Sequence, residues 1–154
     1  MSSLLYNKEH KFFERMLNLD LQELRKFLLL KYDDIKTCKI PGVNPLNYKG
    51  EDYEQFIESK SISTIKWREY NVFCLHHKEL YNLLQKIKEL VKEACDYYEL
   101  DYDKEKFYIQ GWFNVVKANV GKLDWHAHGD PGIGFHGYYC VNAEPSITYY
   151  NIFG

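Results

Sequence analysis

The chain has 154 residues, 45% of them hydrophobic and 27% charged, which excludes a disordered polymer and fits one domain with a buried core. A net charge of −2 and a pI near 6.3 give no strong field for nucleic acid or an anionic membrane. No apolar run approaches the roughly 18 residues that a membrane span requires.

The opening Met1-Ser-Ser-Leu-Leu-Tyr-Asn-Lys-Glu-His10 lacks the pattern of a secretory leader. Phe12, Phe13, Met16 and Leu17 then recur at helical spacing, and so do Leu21, Leu24, Phe27, Leu28 and Leu30. Asp20 can cap the second of these helices, with Glu23 three residues on completing a capping box. The two helices are either short and separate or merged into one. Residues 37–61 are punctuated by Pro41-Gly42, Asn44-Pro45, Asn47 and Gly50, and read as a long connecting loop with a turn of helix near 53–57.

Residues 64–75 read as a strand, on Ile65, Trp67 and the run Val72 to Leu75. His76-His77 marks the start of the helix that follows. That helix, over 78–98, is the clearest element in the chain. Leu80, Leu83, Leu84, Ile87, Leu90, Val91, Ala94, Cys95 and Tyr98 make one wide apolar stripe, with lysines and glutamates opposite. The stripe is expected to pack on a sheet, with Leu84, Ile87 and Val91 nearly fully buried.

From Phe107 the composition turns aromatic and β-branched, and residues 107–118 read as a long strand. Asn119-Val-Gly121 is a turn. Further strands are expected over 123–128, 133–142 and 147–153, with Ala143-Glu-Pro145 breaking the last two apart. Helices first and antiparallel strands after is an α+β order within a single domain, with 1–61 a helical lead-in and loop and 62–154 the core. The four cysteines, Cys38, Cys74, Cys95 and Cys140, form no Cys-x-x-Cys pair and read as reduced thiols of a cytoplasmic protein.

The densest chemistry lies in Asp124-Trp-His-Ala-His-Gly-Asp-Pro-Gly-Ile-Gly-Phe-His136. On a strand, successive side chains alternate faces, so His126 and His128 share one. Two imidazoles with a nearby carboxylate are a donor set for a divalent transition metal. Two registers fit. His126 and His128 are the pair in one; His128 and Asp130 are the pair in the other, with Asp130 alternatively capping the turn at Pro131-Gly132. His136 is a further candidate ligand.

Trp112-Phe-Asn114-Val, then Gly121, then Trp125-His-Ala-His128, then Gly137-Tyr-Tyr139 resembles bacterial and phage 2-oxoglutarate/Fe(II)-dependent oxygenases, relatives of the prolyl hydroxylases. The likeness spans about residues 64–150, with the specific motifs confined to 112–139. It implies N-terminal helices packed on an antiparallel double-stranded β-helix, a jelly-roll or cupin-like core. It also implies one Fe(II), with 2-oxoglutarate as cosubstrate and with His126, His128 and Asp130 as candidate ligands, paired as His126 with His128 or as His128 with Asp130. Asn114, Tyr138 and Tyr139 would then contact the cosubstrate or orient a ligand, strand alternation sending one of the two tyrosines inward. His136 departs from the family, which usually has Ser before that Gly.

The family's distal His and its basic partner for the 2-oxoglutarate carboxylate have no counterpart in residues 137–154, which hold no Lys, Arg or His. The sequence therefore suggests an oxygenase or the N-terminal part of one, acting on a small molecule or a protein side chain. A homodimer or a second chain would complete an otherwise incomplete sheet. Two other functions compete: a non-catalytic cupin-like module holding a metal or small ligand, and an interaction or assembly domain.

Overall fold

The computed structural model describes residues 11–36, 61–63, 71–116 and 134–142. They form helix α1 (Leu21–Lys36), strand β1 (Ser61–Ser63), a 3-10 turn (Val72–Cys74), helix α2 (Lys78–Tyr98) and strand β2 (Asn114–Val116).

Helix α1 begins where Asp20 caps it. The Asp20 carboxylate accepts from the Glu23 amide at 3.0 Å, and the Asp20 carbonyl accepts from Leu24 N at 3.0 Å. The expected earlier helix over Phe12 to Leu17 does not form: residues 11–20 are an irregular lead-in. Tertiary contacts with α2 hold them instead. Phe13 meets Tyr97 edge-on at 5.9 Å, Lys11 N donates to the Tyr98 hydroxyl at 3.3 Å, and Arg15 pairs with Glu93. Met16, expected on an apolar face, is 99% exposed.

Helix α2 has the predicted bounds. His77 is its N-cap, with Nδ1 accepting from Glu79 N at 3.2 Å. At its far end Glu99 adopts a left-handed conformation (φ 59°), and Leu100 N donates to the Cys95 carbonyl at 2.9 Å. The stripe is buried at both ends, at Leu80 and Leu83 and again at Ala94, Cys95 and Tyr98. Leu84, Ile87 and Val91, expected to be nearly fully buried, are only half-buried. The cover explains this. Leu24 of α1 and Val72 pack with Leu80 at the start of α2, while the aromatic residues gather at its end.

The double-stranded β-helix is corrected by the structure. The described residues are mostly helical, and their one ladder is three pairs long: Ser61 with Val116, Ile62 with Val115, Ser63 with Asn114, antiparallel. Part of that ladder, β1, begins in what reads as the long loop. The expected strand over 64–75 is, at its described end, the 3-10 turn. Asn71 closes that turn, its Oδ1 accepting from Phe73 N at 3.1 Å while Cys74 N donates to the Asn71 carbonyl at 3.0 Å.

Of the long strand expected over 107–118, the described residues 107–116 keep β2 alone, and backbone groups before it bond elsewhere. Gly111 N donates to Asn71 Oδ1 at 3.1 Å, Val72 N to the Gly111 carbonyl at 2.8 Å, and Asn71 Nδ2 to the Ile109 carbonyl at 2.9 Å. Asn71 thus ties the turn to the segment leading into β2. Gly111 permits the close approach: a Cβ there would lie 2.7 Å from Phe73 Cδ2 and 2.9 Å from Val72 Cγ1. Residues 134–140, expected as strand, carry neither helix nor ladder. The strands expected over 123–128 and 147–153, and the helical turn near 53–57, lie outside the described residues.

Leu24, Val72 and Leu80 form the center of the core, with Phe27, Leu28, Phe113, Tyr139 and Val141 packed against it. Burying Leu24 fully contributes about 1.5–3 kcal/mol in transfer terms. No described helix is long and apolar enough to cross a membrane.

Candidate functional site

The described part of the site is built from two segments that flank the histidine-rich stretch. On the N-terminal side, exposure alternates along 108–116. Ile109, Gly111 and Phe113 are half-buried. Tyr108, Gln110, Asn114 and Val116 are exposed, Tyr108 at 89%. Trp112 belongs by register with this outer set and is half-buried. On the C-terminal side Phe135, Tyr139 and Val141 are half-buried, while His136, Tyr138 and Cys140 are exposed. This two-residue period is that of extended backbone with one side against the core.

Rings hold the second segment in place. Phe135 lies 6.3 Å from Tyr98 and 6.2 Å from Phe107. Phe107 in turn stacks on Tyr102 at 5.5 Å. Tyr139 and Val141 reach the core beside Leu24, Val72 and Leu80. The two segments meet at Trp112 and His136, whose ring centroids are 6.1 Å apart with planes inclined at 32°.

Of the candidate ligands, His136 alone is described, exposed and facing away from the core; His126, His128 and Asp130 lie outside the described residues. Among the described residues no group of three or more His, Cys, Asp or Glu could hold a metal. The three candidate cosubstrate residues differ in setting. Asn114 is exposed on β2, paired through the ladder with Ser63. Tyr138 is 54% exposed. Tyr139 turns to the core, where burial, then the Glu79 carboxylate and the Cys140 thiol, push its phenol above the ordinary value. A neutral Tyr139 is a packing group with a polar tip.

No family model, curated protein or solved structure matches this chain.

Two polar features have no place in a reading by periodicity. One is the Asn71 clamp; its only signal is an Asx residue before an apolar run, which equally suits a strand end. The other is Glu79, buried at the start of α2. Its carboxylate accepts from the Asp20 amide at 3.3 Å and from Asn82 Nδ2 at 3.4 Å, while the His77 ring stacks on Phe27 at 4.2 Å. His77 therefore serves as a helix cap and an inter-helix contact.

Proposed function

We propose that the chain binds one Fe(II) through the 124–136 segment and acts as a 2-oxoglutarate-dependent oxygenase. The observation that carries this reading is the meeting of Trp112 with His136. It brings Trp112 of the Trp-x-Asn motif close to His136, at the end of the histidine segment. The donor set suits the ion: His126 and His128, with Asp130, offer two imidazoles and one carboxylate. His136, exposed beside Trp112, is the reserve ligand.

Bound iron would supply dioxygen activation coupled to decarboxylation of the cosubstrate. Asn114 and Tyr138, both exposed, would contact 2-oxoglutarate or orient a ligand. Tyr139 would act by anchoring the 134–141 segment to the core. The substrate is a small molecule or a protein side chain. In this reading the protein works in the cytoplasm, consistent with its cysteine usage.

A second reading is favored by one observation. Residues 137–154 offer no cation to the distal carboxylate of 2-oxoglutarate, so metal binding without turnover is the alternative. Anaerobic titration with Fe(II) or Co(II), followed by a succinate-release assay, separates the two. One equivalent of metal, lost in His126→Ala and His128→Ala, together with iron-dependent succinate, supports the oxygenase. Metal uptake without succinate supports the binding module. Absence of metal uptake overturns both.

A further inference from the structure

We draw no further inference here: the strongest candidate, the uncharged surface patch of Tyr108, Gln110, Trp112 and Asn114 beside His136 and Tyr138, borders the site already described, and nothing in the structure shows what covers it.

Discussion

The two helices and the aromatic segments around them are secured by different means. Helices α1 and α2 close their own backbone hydrogen bonds and need only caps and an apolar stripe to dock. Segments 107–113 and 134–141 satisfy little of their backbone through described ladders. They are held by side chains: the Asn71 amide, the Phe135 and Phe107 rings, and Tyr139 in the core. The difference shows where sensitivity should lie. The helical part should yield to cavities and lost caps, and the aromatic part to lost clamps and crowding.

The largest expected effect is in the shared core. Leu24→Ala removes a side chain with 0% exposure and should cost about 2–5 kcal/mol in urea unfolding. Ile87→Ala, on the half-buried middle of α2, should cost clearly less. Equal losses would show that the middle of the stripe is as well covered as its ends.

Crowding tests the other region. Gly111→Ala places a methyl group against Phe73 and Val72 and should destabilize by about 1–3 kcal/mol, with the near-ultraviolet circular dichroism of the aromatic residues altered. A neutral result would mean the turn and the 109–111 segment can part without loss. A smaller effect is expected at the α1 cap. Asp20→Ala loses the acceptor for Glu23 N and should cost about 0.5–2 kcal/mol, whereas Asp20→Asn should restore most of it.

The smallest effect is one of accessibility and pH. Burial first, then Asp96 and Glu105, push the Cys95 thiol above its ordinary value, against a small opposing pull from Lys92. Because the folded value is raised, this contribution to stability is fully present below the unfolded thiol's titration. It is lost as pH rises through the folded value. In the native protein a thiol reagent should modify Cys74 and Cys140 quickly and leave Cys95 untouched until unfolding. Fast native labeling of Cys95 would place the end of α2 outside the core.

Much of the helical part was legible in sequence. The α2 stripe gave both bounds, and Asp20 with Glu23 marked the start of α1, because such signals are local and repeat over several turns. The lead-in departs from helix because Phe13, though at helical spacing, answers to Tyr97 of α2. The aromatic part was misread for a related reason. Trp112, Phe113 and Val115 have strand propensity, but propensity does not say which partner takes the backbone bonds, and here Asn71 and Val72 take several. Near the candidate site, the alternation of Tyr138 with Tyr139 was legible in sequence. The meeting of Trp112 with His136 joins residues 24 positions apart and has no local signature.

The hydrogen bond from the Asp20 amide to Glu79 has a consequence for how the helices come apart. It sets the Glu79 carboxylate, in the first turn of α2, against the N-terminus of α1, the positive end of a helix dipole already capped by Asp20. Fraying of α2 from that end carries Glu79 away from the Asp20 amide, whereas fraying of α1 leaves Glu79 on α2. In native-state hydrogen exchange, opening of the first turn of α2 should therefore release the Asp20 amide as well, while opening of α1 should leave the first turn of α2 protected. The carboxylate link makes the start of α1 answer to the start of α2, 59 residues further along the chain.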